Sequence, residues 1–357
     1  MLFESKKLIW WGRSDVTYSR NGVIRGALHE LGVGIQDFYP RFSFSASIEA
    51  VLSSMGGVDA IWVPCFRQRD VLSASKWAKK KKVSLIFDPL ISSYDKQVFE
   101  RKKFLETSQA AKRLLSWESG LFHKADIVVA DTYLHAEYFE KHLGVANSKI
   151  FVVPVSAEKM FHWKEPAENR IDSATCKVLF YGNYLELHGV NVIADAIVQN
   201  QNQSIKWTLV GDGALRAEIE KKCKGIPSVQ FIDWIEYAEL PNAIHNADVI
   251  LGIFDTGDKA NRVIPNKVYQ ALACGRPVVT MQSKAYPQEV RGSLNSGIFW
   301  SEAGSPKSLL SAIESSAAEN QKQNCLAARE TYDNYFSMSV VRESLSTILN
   351  KAFAVNP

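Results

Sequence analysis

No stretch of this 357-residue chain approaches the ~20 consecutive apolar residues that a membrane-spanning helix needs. The apolar part of the opening MLFESKKLIWWGRSD is too short for a signal peptide. Cysteine is scarce: Cys65, Cys176, Cys223, Cys274 and Cys325 are odd in number, far apart and without metal-site spacing. These absences argue against a disulfide framework and a resident metal, and for a reduced, cytoplasmic setting with at most peripheral contact at the inner face of a membrane. Charge of one sign is also in short supply, with 42 Lys and Arg against 38 Asp and Glu, a net +4. That is too little to argue for nucleic acid, yet it suits anionic ligands or an anionic membrane surface. A complete three-glycine dinucleotide fingerprint is missing too. GDGALR, residues 211–216, lacks the third glycine and follows the second strand of its half rather than the first, which excludes a dehydrogenase of the usual kind.

What the chain does have is 46% apolar residues, enough for ordinary cores, and a length that suits roughly two domains. Short runs rich in Val, Ile and aromatics alternate with longer helical patterns, which predicts an α/β fold of parallel sheets wound with helices. The first half gives strands at Leu8–Gly12, Ile35–Tyr39, Ala60–Val63, Val83–Phe87, Ile127–Ala130 and Ile150–Val153, with the clearest helix over Lys103–His123. The Glu-rich segment Ala157–Thr175 interrupts the alternation and reads as a linker. Six more strands follow, at Lys177–Tyr181, Lys206–Val210, Val229–Asp233, Val249–Ile253, Pro277–Met281 and Ile298–Trp300. We therefore expect a Rossmann-like domain over residues 1–165, a second over 175–335, and a closing helix within 336–357 that crosses back to the first. Two such domains would face each other across a cleft, with ligands at the carboxyl ends of the strands.

The sharpest chemistry lies in DTGDKANRVIPNKVYQALACGRPVVT, Asp255–Thr280. A polar loop leads to a helix opening at Pro265 and ending at Gly275, where proline suits the first turn and glycine the left-handed cap. A helix start carries free N–H groups and partial positive charge, so it favours an anion such as phosphate. Arg262 and Lys267 add full charges on either side, and Lys267 in a first helical turn is electrostatically out of place unless it meets an anion. Two more strand-to-helix junctions, at Gly182 to Gly189 and at Gly211 to Gly213, raise the prospect of a nucleotide diphosphate site.

Four motifs, YGNYLELHGV, TLVGDGALR, DWIEYAELPNAIHNADVIL and NRVIPNKVYQALACGRPVV, follow one another over about 110 residues. With them the second half resembles the retaining glycosyltransferases of family 4, enzymes of GT-B architecture that use nucleotide-sugar donors. The resemblance implies a donor domain over 175–335, UDP or GDP in the donor, no cofactor or metal, and an acceptor held by the first half. It implies donor contacts from Gly182, Asn183, Gly189, Gly211, Gly213, Val263, Ile264, Asn266 and Gln270. The family's paired bases fall on Asn183 and His188, and its paired glutamates on Arg262 and Gln270, neither of which is acidic. Gln270 would still bond ribose hydroxyls, only more weakly than a carboxylate. Because the leaving diphosphate gains charge as the anomeric bond breaks, donors fixed around it stabilise the transition state; Arg262, Lys267, His188 and the N–H groups of Val263 and Ile264 fit that task.

In the first half the loop around Arg13, Tyr18 and Asn21 follows the first strand, and FDPLISSYDK places Asp88, Tyr94 and Asp95 after the fourth, a dense polar set suited to sugar hydroxyls. Asp88 would orient the acceptor hydroxyl or the donor sugar. The acceptor expected is a glycan or lipid-linked saccharide, as in surface polysaccharide or glycoconjugate synthesis. The lysine run Lys79–Lys82 would draw the protein to anionic lipid, or simply satisfy a helix end. Two other classes remain open: a nucleotide-sugar epimerase of related architecture, and a non-catalytic nucleotide-sugar or glycan binder.

Overall fold

A computed structural model describes residues 2–53, 55–166, 175–200, 204–318 and 321–354. The part of the expected linker over 167–174 lies outside these. The chain divides into two compact units, one of Met1–Ser156 with Met338–Pro357, the other of Ala157–Ser337.

The first unit holds β1 (Lys7–Trp11), β2 (Gly34–Phe38), β3 (Ala60–Val63), β4 (Ser84–Phe87), β5 (Ile127–Ala130) and β6 (Ile150–Val152). They form one parallel sheet in the order β2-β1-β3-β4-β5-β6. Its central strands are apolar throughout because helices cover both faces, as parallel sheets require. Alternate residues go to opposite cores. Leu8, Trp10, Trp62, Ile86 and Val129 meet the helix Ser19–Glu30 and the closing helix, while Ile9, Trp11, Ile61, Phe87 and Val128 meet the helices on the other face. The closing helix, Met338–Phe353, buries Val341, Leu345, Ile348, Leu349 and Ala352 on a single stripe in the first of these cores. Ser84 donates to the carbonyl of Ala352, and Arg342 pairs with Glu30, which fixes this helix to the first unit.

The second unit holds β7 (Cys176–Tyr181), β8 (Ile205–Val210), β9 (Val229–Ile232), β10 (Val249–Leu251), β11 (Val278–Met281) and β12 (Ile298–Ser301), all parallel, in the order β12-β11-β10-β7-β8-β9. From β7 the chain winds outward through β8 and β9, then returns to β10 on the other side. The carboxyl ends of β7 and β10 therefore flank a topological switch point, where such sheets bind ligands.

Two expectations shift. Residues 103–108 do not join the helix expected over Lys103–His123; Ser108 caps it, its hydroxyl accepting from Ala111 N–H, and the helix runs Gln109–Phe122. Pro265 is not the first helical residue but the extended cap before the helix Asn266–Ala273, at φ −73° and ψ 150°.

Candidate active site

The switch point is built from three glycine-bearing turns. β7 ends at Tyr181, and Gly182 follows at φ +135°, a conformation that side-chained residues avoid. A Cβ on Gly211 would lie 2.1 Å from the Gly182 carbonyl oxygen, so the turns after β7 and β8 interlock only because Gly211 is bare. Arg216 locks the second turn: it bonds the Gly211 carbonyl and Asp233, and its guanidinium lies over the Tyr184 and Phe231 rings. At Gly189, which caps the helix Val190–Gln199, a Cβ would fall 2.7 Å from the backbone of Phe254, just past β10.

Into this corner come two titratable side chains. A Cβ on Gly182 would stand 3.3 Å from Lys267 Nζ and 3.4 Å from His188 Cε1, so both converge over the glycine. Lys267 is 5% exposed, its ammonium lies 4.0 Å from the centre of the Phe180 ring, and Nζ has no hydrogen-bond partner among the described residues. Burial pulls its pKa down to about 7. His188 is half-buried, and Nδ1 lies 2.5 Å from the Asn183 carbonyl, which can only accept, so Nδ1 carries the proton. Burial first and the Lys267 charge second push the imidazole down to about 3, against that hydrogen bond. His188 is thus a neutral ring with its Nε2 lone pair available, so any contact it makes to a diphosphate is that of an uncharged imidazole.

The helix that carries Lys267 begins beside this corner. Ile264 is buried and its N–H has no partner among the described residues, whereas the Val263 N–H closes a turn onto Ala260. Arg262 ends the turn Ala260–Arg262 and is half-buried. Asn183 is exposed and Asn266 half-buried. Gln270 is 3% exposed, and both ends of its amide are engaged. Tyr181 donates its hydroxyl to Oε1 at 2.9 Å, and Nε2 donates to the Tyr237 hydroxyl at 3.0 Å. Tyr237 in turn donates to Glu158 Oε1 at 2.6 Å, while Glu158 Oε2 is buried without a hydrogen-bond partner. The Tyr181–Gln270–Tyr237–Glu158 chain was not foreseen: Tyr181 reads as a strand end, and Glu158 lies in the segment taken for linker.

In the first unit Asp88 is buried and held by Arg20, whose Nε lies 3.0 Å and Nη2 3.4 Å from its oxygens. Burial pushes the carboxyl's pKa up, outweighing the opposing pull of Arg20. Arg20 also donates to the carbonyls of Val153 and Pro154, so this pair joins the helix Ser19–Glu30 to the ends of β4 and β6. Asn21 is buried between the Asp15 carbonyl and Cys65. Tyr94 and Asp95 are buried in a turn that Glu118 caps, accepting from Ser93 N–H, Tyr94 N–H and the Ser92 hydroxyl. Tyr18 is half-buried against Phe66, and Arg13 is exposed, donating to the Pro40 carbonyl. A second buried pair, Asp131 with His135 Nδ1, sits at the carboxyl end of β5; sequence reasoning missed it, though its Asp-x-x-x-His spacing at a helix start would have pointed to it. Among the described residues no three His, Cys, Asp or Glu side chains converge as metal ligands, and no helix is long and apolar enough to cross a membrane.

Residues 175–319 match the family model described as glycosyl transferases group 1. No curated protein matches the chain by sequence. Among solved structures, Anabaena HepE in complex with UDP superposes with TM-score 0.70 at 13% identity, over 97% of this chain and 100% of that one. Sucrose-phosphate synthase from Thermosynechococcus elongatus gives 0.72 at 14%, over 98% and 99%. WaaG, a glycosyltransferase involved in lipopolysaccharide biosynthesis, gives 0.61 at 12%, over 96% and 98%. The fold is that of the GT-B glycosyltransferases.

Proposed function

We propose that this chain, whose residues 175–319 match the model of the glycosyl transferases group 1, moves a hexosyl unit from a UDP- or GDP-sugar to a saccharide or lipid-linked saccharide, with retention and without a metal. The observation that carries this reading is Lys267, a buried ammonium with no hydrogen-bond partner over a bare glycine at the switch point. A lone buried cation is expensive, and an anion relieves it. The donor diphosphate would take its place between Lys267, Arg262 and the Ile264 N–H. As the anomeric C–O bond breaks, the departing phosphate oxygen gains charge that these groups already face. In a retaining transfer the same oxygen takes the acceptor hydroxyl's proton while the acceptor oxygen bonds to the anomeric carbon. UDP is favoured because HepE is seen with UDP and with UDP-glucose. Thermal-shift titration with UDP and GDP, followed by a test for nucleotide release from the matching sugars, decides it. The absence of both binding and release would refute the reading.

A second reading, a donor or glycan binder without turnover, draws on Gln270, whose amide is held by two tyrosines rather than left for ribose. Binding of UDP-sugar with no release in the presence of any saccharide would favour it.

Membrane contact at the cytoplasmic face, with a role in surface polysaccharide synthesis, is part of the proposal. The lysines Lys79–Lys82 end the helix Val71–Lys81, against which the helix Ala46–Leu52 packs. Phe42, Phe44, Ile48 and Leu52 are all exposed there, an apolar patch suited to a lipid surface beside positive charge. Flotation with anionic liposomes should carry the wild-type protein up and leave a variant with alanine at Lys79–Lys82 behind; equal behaviour would remove this element.

A further inference from the structure

The first unit contains a pocket of about 370 Å³ that the motifs did not point to. Its size falls within the range of small-ligand sites. Two kinds of side chain dominate its wall. Phe66, Phe104 and Trp117 supply aromatic surface, and Arg67, Arg69 and Lys103 supply charge. Phe66 and Trp117 remain 43% and 42% exposed, so ring surface is on offer rather than packed away.

Phe66 sits at φ +63°, in the left-handed region that ordinary side chains avoid at a cost of about 1–3 kcal/mol. Its ring is held edge-on to Tyr18 at 5.1 Å, and Lys96 Nζ lies 5.5 Å from the ring centre. The backbone is thus held in a costly conformation that keeps an aromatic ring at the pocket wall.

The charges are not balanced locally. Arg67 is tied to the buried Asp70, which fixes its guanidinium and neutralises it. Arg69, Lys96 and Lys103 have no carboxylate partner among the described residues; Lys103 lies against the Phe104 ring instead. Half-buried Lys96 has its pKa lowered by burial and by the nearby Arg101. Of the other buried acids, Glu118 accepts from the backbone and hydroxyl of residues 92–94 with both carboxylate oxygens. Ser93, held by that capping, and Gln97 add neutral polar groups to the wall.

Aromatic faces take the apolar face of a sugar ring, and unpaired cations take phosphate or carboxylate. We propose that this pocket binds a sugar unit bearing a negative charge, as part of the acceptor. The acceptor role rests on the transferase reading above; the binding itself does not.

The test uses the full-length protein and calorimetric or ligand-observed NMR titration with four probes: glucose 6-phosphate, glucuronate, glucose and inorganic phosphate. Either charged sugar should bind at least tenfold more tightly than glucose, and at least tenfold more tightly than inorganic phosphate, because ring and charge are both read. Arg69→Ala with Lys103→Ala should lower that affinity at least fivefold. Trp117→Ala should do the same, while Trp117→Phe retains most of it. Equal binding of glucose and the charged sugars, or of inorganic phosphate and the charged sugars, would overturn the proposal, as would unchanged affinity in the double variant. These positions are exposed or line a surface pocket, and retained melting temperature checks that each variant is folded. UDP-sugar hydrolysis by the unmodified protein is measured alongside. Its absence counts against the transferase reading alone, whereas hydrolysis without any binding of charged sugar counts against this pocket alone.

Discussion

A nucleotide diphosphate should be bound together with a proton. Burial disfavours the charge of the Lys267 ammonium and pulls its pKa down to about 7. A phosphate oxygen about 4 Å away, at an effective dielectric of about 20, returns about 4 kcal/mol per unit charge, or about three pKa units. The bound lysine would then titrate near 10. At pH 8 only about a tenth of the free protein carries this proton, so binding takes up about 0.9 proton per UDP. Above pH 7 the affinity for UDP should fall up to about tenfold per pH unit, since the free lysine must first be charged. His188, held down to about 3, stays neutral in this window and contributes little. Calorimetric titration with UDP at pH 8, in two buffers of very different ionisation enthalpy, reads the uptake directly. The UDP phosphate, with a second pKa near 6, is already ionised there. Lys267→Arg is the control, because a guanidinium never titrates in this range; it should abolish the uptake. Identical apparent enthalpies in the two buffers, together with an affinity flat from pH 7 to pH 9, would refute the reasoning.

Three other outcomes follow from the same geometry. Unfolded lysine titrates near 10.4, so between about pH 7 and pH 10 the unfolded chain holds more protons, the empty protein's stability rises with pH, and below that window Lys267 destabilises the fold by up to about 5 kcal/mol. Lys267→Met should therefore raise the melting temperature of the empty protein by several degrees at pH 7 while turnover falls at least ~100-fold; a lower melting temperature would contradict this. Gly182→Ala places a methyl 3.3 Å from Lys267 Nζ and 3.4 Å from His188 at φ +135°, so UDP affinity measured by calorimetry should drop at least ~10-fold with a stability loss of about 1–3 kcal/mol. Gln270→Glu should lower stability by about 1–3 kcal/mol, and adding Glu158→Gln should recover most of the loss in a double-mutant cycle by denaturant unfolding.

The central strands were legible because they are short apolar runs bounded by polar or glycine turns, whereas the edge strand β2, GIQDF, is largely exposed. Each of the twelve lies within a residue or two of its expected place, and for the central ones burial on both faces leaves little choice of composition. Lys267 and Gly182 were legible as well, the first as a cation misplaced in a helix start and the second as a glycine at a strand end. What the chain order hid was burial and partnership. Asp88 reads as a free carboxylate after a strand, yet Arg20, sixty-eight positions away, closes on it. Asn21, Tyr94 and Asp95 read as polar groups on loops, and they are buried in holding those loops together. The aromatic and basic pocket was dispersed over Phe66 to Trp117, in segments with no periodicity to connect them.

Gln270 shows how such hidden partnership reinterprets a motif. Read in one dimension, it replaces an acid and weakens a ribose contact. In space it stands between two tyrosines with different needs. Tyr181 has a hydroxyl proton to give, which an amide oxygen or a carboxylate would take equally well. Tyr237 has already given its proton to Glu158, so its oxygen faces position 270 as an acceptor. Only a group that accepts on one side and donates on the other satisfies both, and the amide of glutamine is that group. A glutamate would set two carboxylates competing for the single proton of Tyr237, in a site where an unmatched polar atom costs about 1–3 kcal/mol. The glutamine is thus explained by Glu158, a residue outside the motif. A carboxylate remains in the chain of hydrogen bonds, two links further from the helix than the sequence pattern would place it.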